Sequence, residues 1–327
     1  MDLLEDLKQK YDGALSRREA LIIALGSDTD AFRLVHSDAD GIPGITVDRL
    51  GEVLLMETHI PEVPTDLFLE ILRERHGPST PIFLKERRGA DMVAKQGRQV
   101  SGPDRDPVVQ VQEEGLVFEL KLTGTPHTGL FLDSRAVRRR VKAAAPGKRV
   151  LNLFSYTGGF GMAAQSGGAR STTNIDSKVS ALEAAKRNYL LTGLPVDSRT
   201  FLKSDALSFL KKSKKNNRPY DLVILDPPPV SKRTNRDILD TGRAYARLVA
   251  RALGAVADGG TLIAGLNNQE VDDPSFYDMI TAGLTEAGRR AARRARIATD
   301  PDFPPGSRRP TARFEEMEGI QFSKSQG

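Results

Sequence analysis

From residue 149 onward, short apolar stretches alternate with longer helical ones. The strand candidates are RVLNLF (149–154), STTNID (171–176), SRTFLKSD (198–205), DLVILD (221–226) and TLIAGL (261–266). Between them lie stretches such as SALEAAKRNYLLTG and RAYARLVARALGAVADGG. Few architectures accommodate this. Apolar runs without polar alternation suit strands covered on both faces, and strand–helix alternation implies a mostly parallel sheet wrapped by helices. Residues 121–327 are therefore expected to form one α/β domain, with KSKKNNRP (212–219) and DPDFPPGSRRP (300–310) as loops and RFEEMEGIQF (313–322) as a last edge strand.

The preceding residues follow another pattern. Residues 1–26 read as a helical lead, with Leu3, Leu4, Leu7, Leu15, Leu21, Ile22 and Leu25 at roughly helical spacing. Strands are expected at 32–35, 44–48 and 52–58, with a tight turn at Gly41-Ile42-Pro43-Gly44. TDLFLEILRERHG reads as a helix capped by Thr65 and ended by Gly77, PIFLKERR as a strand and VVQVQEEGLVFELKL as a hairpin. Residues 27–120 thus form a small mixed α/β domain, and the chain of 327 residues has room for both.

The chemistry concentrates after the first apolar run of the larger domain. VLNLFSYTGGFG (150–161) is a strand entering a glycine turn, with a helix start near Phe160. Strand, glycine turn and helix is the arrangement in which doubly wound folds bind nucleotide-like ligands. Three acids follow at or near strand ends. Asp176 is placed to accept from ribose hydroxyls, Asp205 to accept from an adenine amino group or fix its loop, and Asp226 opens DPPP. The competing reading is that each aspartate caps the next helix. A dinucleotide needs three glycines in GxGxxG register, which TGGFG keeps only in part, and no phosphate-cradling P-loop lysine is present. A loose glycine turn of this kind suits S-adenosylmethionine, which has a ribose and an adenine but no phosphate.

Composition removes several chemistries. There is no cysteine, which excludes disulfides, thiolate metal sites and thiol nucleophiles. The four histidines show no helical metal-ligand spacing; this argues against a histidine zinc site and leaves a carboxylate-bound metal open. Residues 1–120 hold 14 Lys+Arg against 23 Asp+Glu, and residues 121–327 hold 34 against 20. The basic second part points to an anionic partner, although KKSKK (211–215) and RRAARRAR (289–296) also read as solvated helix faces. No apolar run is long enough to span a bilayer and no basic-then-apolar leader opens the chain, so a cytoplasmic location is expected.

HTGLFLDSRAVRRRV (127–141), VLNLFSYTGGFG, NIDSKVSALEAAKRN, SDALSFL and VILDPPPVSK together resemble the class I methyltransferases related to 23S rRNA large-subunit methyltransferase I. They are similar also to the guanine-N7 methyltransferase half of the fused bacterial rRNA enzyme. FRLVHSDADGIPGITVDRLG resembles the small central domain of the first family. The resemblance implies a Rossmann-like methyltransferase domain that uses S-adenosyl-L-methionine. It assigns cofactor contacts to Phe131, Asp133, Arg135, Ser155, Tyr156, Thr157, Gly158, Asp176, Asp205 and Asp226. Asp226, Pro227 and Pro228 are implied to sit between methyl donor and target base. Asp133 and Arg135 are two apart, so one is free to face a cleft while the other salt-bridges elsewhere.

Three departures from the family pattern shape the expected reaction. The PUA-type RNA-binding module of that family has no counterpart here, a helical lead at residues 1–26 standing in its place, so RNA affinity is expected from the basic domain. The family's thiolate for cytosine-C5 chemistry is missing, and IAGLNNQE (263–270) occupies the comparable stretch. Asn267, Asn268 and Gln269 there are amides suited to a substrate edge, or simply a polar loop. Finally, Pro229 and Val230 stand where exocyclic-amine methyltransferases carry a stacking aromatic. The expected activity is methyl transfer to an RNA nucleobase by a single displacement, with no metal and no covalent enzyme intermediate. A ring nitrogen such as guanine N7 is the acceptor least at odds with these residues. The alternatives are a small-molecule or protein acceptor, or a cofactor-binding protein without turnover.

Overall fold

The computed structural model describes residues 2–87, 92–197, 199–216, 219–228, 238–268, 271–306 and 311–323. The chain divides into two compact units, Met1–Arg135 with Thr299–Arg309, and Ala136–Ala298 with Pro310–Gly327.

The first unit runs α1 (Leu3–Leu25), β1 (Ala31–His36), β2 (Ile45–Leu50), β3 (Val53–Thr58), α2 (Thr65–His76), β4 (Ile82–Glu86), α3 (Met92–Gln96), β5 (Arg98–Ser101), β6 (Val108–Glu113) and β7 (Leu116–Lys121). Its sheet has the order β1-β2-β3-β4-β5. Only β3 and β4 pair in parallel, and α2 makes the crossover that a parallel step requires. Leu7, Tyr11 and Ala14 of α1 share one apolar core with Phe68 and Leu72 of α2 and with Val47, Met56 and Leu84. The β6–β7 hairpin turns through Glu114 and Gly115, both at positive φ (50° and 80°), as a two-residue hairpin favours. Thr65 does not cap α2: Pro64 takes the cap position, and the Thr65 hydroxyl donates to the Val63 carbonyl instead. Gly77 does end that helix, at φ 88°.

The second unit runs α4 (Arg135–Ala144), β8 (Arg149–Leu153), α5 (Gly159–Ser166), β9 (Ser171–Asp176), α6 (Val179–Leu191), β10 (Phe201–Lys203), α7 (Ala206–Asn216), β11 (Tyr220–Leu225), α8 (Ile238–Leu253), β12 (Val256–Leu266), α9 (Asp273–Glu286), β13 (Arg289–Arg290), β14 (Arg293–Ile297) and β15 (Arg313–Phe322). The first residue of α4 belongs to the first unit. The sheet order is β10-β9-β8-β11-β12-β15-β13, with β14 also on β15. Strands β8 to β12 pair in parallel and β15 is antiparallel, as expected of a mostly parallel α/β sheet. Leu151, Leu153, Val223, Leu225, Leu262 and Ala264 are fully buried, which explains why these strands lack alternation. The chain runs from β8 outward to β9 and β10, then returns to β11 on the other side of β8. The order therefore reverses between β8 and β11, the position where open α/β sheets bind ligands.

Three expectations need correction in this unit. The polar run after Lys211 does not begin a loop, because α7 continues through Asn216. RFEEMEGIQF is not an edge strand; β15 has β12 on one side and β13 and β14 on the other. RRAARRAR is neither a helix nor an uncompensated basic run. It forms β13 and β14, where Arg293 pairs with Glu318, Arg294 with Glu315 and Arg296 with Asp273. Arg289 is buried, with its guanidinium 4.2 Å from the Phe322 ring centre and a hydrogen bond to the Val256 carbonyl.

Candidate functional site

The parallel register sets the carboxyl ends of the strands side by side. Leu153 is opposite Ile175 and Leu225, Asp176 is opposite Lys203, and Leu225 is opposite Ala264. The turn after β8 therefore lies at the same sheet edge as Asp176 on one flank and Asp226 on the other.

That turn is strained. Phe154 (φ 58°) and Tyr156 (φ 49°) occupy the left-handed region that side chains rarely enter, and Gly158 follows at φ 86°. Such conformations cost about 1–3 kcal/mol each and persist where the surroundings over-determine them. Here Asp176 does so. One carboxylate oxygen accepts from the Tyr156 N–H at 2.9 Å and the other from the Lys178 N–H at 2.8 Å. The Ser155 N–H donates to the Ile175 carbonyl at 2.9 Å. At Gly158 a Cβ would lie 2.9 Å from that of Ala185, so glycine also lets α6 pack against the turn.

Below the turn, Asn152 of β8 donates to Asn174 of β9 at 2.9 Å, and Asn174 donates to the Tyr189 hydroxyl of α6 at 3.0 Å. All three residues are fully buried, and burial pushes the Tyr189 hydroxyl up to about 12. Gly161 of α5 makes room for this network, since a Cβ there would meet Asn174 Oδ1 at 2.2 Å and Tyr189 Oη at 2.6 Å.

Asp226 is half-buried directly after β11. A Cβ on Gly265 would lie 2.9 Å from Asp226 Oδ1 and 2.4 Å from the Phe314 ring, so only glycine lets β12 pass at this distance. Tyr245 is buried and donates to the Gly265 carbonyl at 2.8 Å. Burial first, then the charges of Asp226 and Glu315, raises its hydroxyl well above the ordinary phenol value, so it remains a donor. Pro227 is half-buried and Pro228 exposed.

The other residues singled out by sequence divide between the units. Ser155 and Thr157 are buried in the second unit, and Ser155 Oγ has no hydrogen-bond partner among the described residues. Asp205 is exposed and caps α7, accepting from the Ser208 N–H at 2.9 Å, as the helix-cap reading has it. Asn267 and Asn268 follow β12 half-buried, and the Asn268 carbonyl accepts from Arg313 at 3.1 Å. Pro229, Val230 and Gln269 lie outside the described residues.

In the first unit, Phe131 is exposed and its ring lies 5.5 Å from that of His127. Asp133 is half-buried. Arg135 is ion-paired within the first unit. It is 1% exposed, donates to Asp300 and Asp302 at 2.6 Å each, and reaches the Ala31 carbonyl at 3.2 Å. Its guanidinium is thus committed to packing.

Sequence reasoning did not single out Asn152, Asn174, Tyr189, Tyr245, Gly265 or Phe314 as parts of this edge. The available signal was an asparagine inside each of two apolar strands, because a buried polar group must find a partner. No group of three or more His, Cys, Asp or Glu among the described residues is arranged to hold a metal ion. No described helix is long and apolar enough to cross a membrane.

Residues 85–311 match the family model described as S-adenosylmethionine-dependent methyltransferase. The ribosomal RNA large subunit methyltransferase of Deinococcus radiodurans is 34% identical over 291 residues, covering 86% of this chain and 71% of the relative. Ribosomal RNA large subunit methyltransferase I of Aeromonas salmonicida is 28% identical over 286 residues, covering 85% and 71%. Among solved structures, the SAH complex of SMU.776 superposes with a TM-score of 0.85 at 22% identity, covering 97% of this chain and 82% of that one. The SAM-dependent methyltransferase of Agrobacterium tumefaciens gives a TM-score of 0.64 at 18% identity, covering 90% and 91%. At these identities the structural likenesses speak for the fold.

Proposed function

The chain belongs to the S-adenosylmethionine-dependent methyltransferase family, and on that premise we propose that it methylates an RNA nucleobase by direct displacement. The methyl donor is S-adenosylmethionine, whose sulfonium supplies an electrophilic methyl group when bound. The observation that carries the reading is the strained turn at Phe154–Gly158, held by Asp176 at the point where the strand order reverses.

The residues present fit the donor. A carboxylate has about four lone-pair sites, so Asp176 keeps capacity for two ribose hydroxyls after accepting two backbone amides. Ser155 Oγ is a buried hydroxyl with no described partner beside the same turn, suited to a polar group of the donor. Ser155, Tyr156, Thr157 and Gly158 would hold the amino-acid end. Asp205 has one carboxylate oxygen on its helix cap and offers the other to the adenine side. Asp226 with Pro227 and Pro228, on the far flank of β8, would orient the acceptor.

The acceptor class is argued from chemistry. These 327 residues contain no cysteine, so no thiolate is present to add to a pyrimidine ring. A ring nitrogen such as guanine N7 attacks with its own lone pair and needs only in-line placement, a proximity effect. RNA is favoured by the names of the relatives and by the basic composition of residues 121–327. Transfer of tritiated methyl groups from the donor into RNA, protein and small-molecule fractions tests the reading. Label in RNA is the expected result; label only in protein or small molecules, or none above a heat-treated control, overturns it.

A further inference from the structure

A surface cavity of about 190 Å³ lies between the start of α9 and strands β14 and β15. Its wall is unusual for a structural crevice. Tyr277 is 51% exposed, and the Arg294 guanidinium lies 3.6 Å from its ring centre. Arg294 is fixed there by Glu315, by the Thr281 hydroxyl at 2.7 Å and by the Tyr277 carbonyl at 3.2 Å. Asp273 holds two further guanidiniums, Arg296 and Arg313. Three arginines thus face two carboxylates, and the Arg296 side chain is 60% exposed with donors to spare.

The cavity is tied to the catalytic edge of the sheet. Arg313 donates to Asp273 at 2.6 Å and to the Asn268 carbonyl at 3.1 Å, in the loop that directly follows β12. In register, Arg313 is opposite Leu266 and Phe314 opposite Gly265, the glycine beside Asp226.

We propose that this cavity binds one nucleotide of single-stranded RNA flanking the methylated base. The base stacks on the Tyr277–Arg294 pair, and Arg296 meets a phosphate or a base edge. Aromatic rings and guanidinium planes are the surfaces on which unpaired RNA bases stack, and the excess positive charge suits the backbone. The inference rests on the RNA reading above and adds a contact outside the donor pocket.

The test is fluorescence anisotropy of a labelled single-stranded RNA oligonucleotide with the full chain, alongside calorimetry with S-adenosylmethionine. Loss of one stacking platform weakens binding between about fivefold and 150-fold, so Tyr277→Ala is expected to fall in that range. Tyr277→Phe is expected to keep wild-type affinity, and both variants to bind the donor as wild type does. Wild-type RNA binding that Tyr277→Ala leaves unchanged overturns this site while sparing the RNA reading. No RNA binding by the wild type overturns both. Equal loss of RNA and donor affinity in Tyr277→Ala shows a structural role and also overturns the site.

Discussion

Replacing Gly161 by alanine separates local helix preference from the packing of the site. Gly161 lies inside α5, where alanine is ordinarily better than glycine by about 0.5–1 kcal/mol. The added Cβ would stand 2.2 Å from Asn174 Oδ1 and 2.6 Å from Tyr189 Oη. Neither atom can retreat without cost, because Asn152, Asn174 and Tyr189 are fully buried and bonded to one another. Overpacking costs about 1–3 kcal/mol, and each hydrogen bond broken about 0.5–1.5. With one hydrogen bond lost and the helix gain set against it, the net loss is about 0.5–4 kcal/mol. Each kcal/mol lowers the melting temperature by about 2–4 °C in a domain of this size. Gly13 of α1 is the control, since its Cβ would meet only Arg17 at 3.5 Å, an ordinary contact, and Gly13→Ala should stabilise. Thermal unfolding by circular dichroism reads both. If Gly161→Ala melts at or above the wild-type temperature, the tight packing of Gly161 against the buried Asn152–Asn174–Tyr189 network is refuted.

Gly265→Ala pushes on both Phe314 and Asp226 Oδ1, so it should lower kcat at least tenfold while leaving donor affinity near wild type by calorimetry. An unchanged kcat would remove Asp226 from the reaction. Lys85 of β4 is fully buried, with Nζ donating to the Thr125 carbonyl at 2.9 Å; burial first, then Arg87, lowers its ammonium from 10.5 to about 8. Between these values the unfolded chain binds the proton and the folded chain does not, so the Lys85 contribution to stability rises with pH at up to about 1.4 kcal/mol per unit. Denaturant midpoints at pH 7.5 and 9.5 should therefore move upward in the wild type relative to Lys85→Met, and parallel shifts would contradict it.

The strands of the parallel sheet were legible because both of their faces are buried, which writes an apolar run into the sequence. The elements that were misread have mixed signals. In β14 each of the three arginines, Arg293, Arg294 and Arg296, has an acid on β15 or α9, and that complement is distant in sequence. β15 carries three glutamates, which suggests an edge, yet Glu315 and Glu316 are buried against arginines. In α7 the lysines after Lys211 read as a polar loop, while the structure simply continues the helix. Of the site, the glycine turn and Asp176 stood out by spacing. Asp205 looked the same by spacing, although its visible task is to cap α7. The role of Gly265 depends on Phe314 and Asp226 approaching from different strands, and no local pattern encodes that.

Whether Asp176 and the bend it braces receive the adenosyl group is settled by titrating S-adenosylmethionine into wild-type protein and into Asp176→Ala. Hydrogen bonds to a charged group contribute about 1.5–3 kcal/mol each, so the variant should bind at least about tenfold more weakly while keeping its circular dichroism spectrum. Equal affinity in the two proteins would place the donor elsewhere and refute the site.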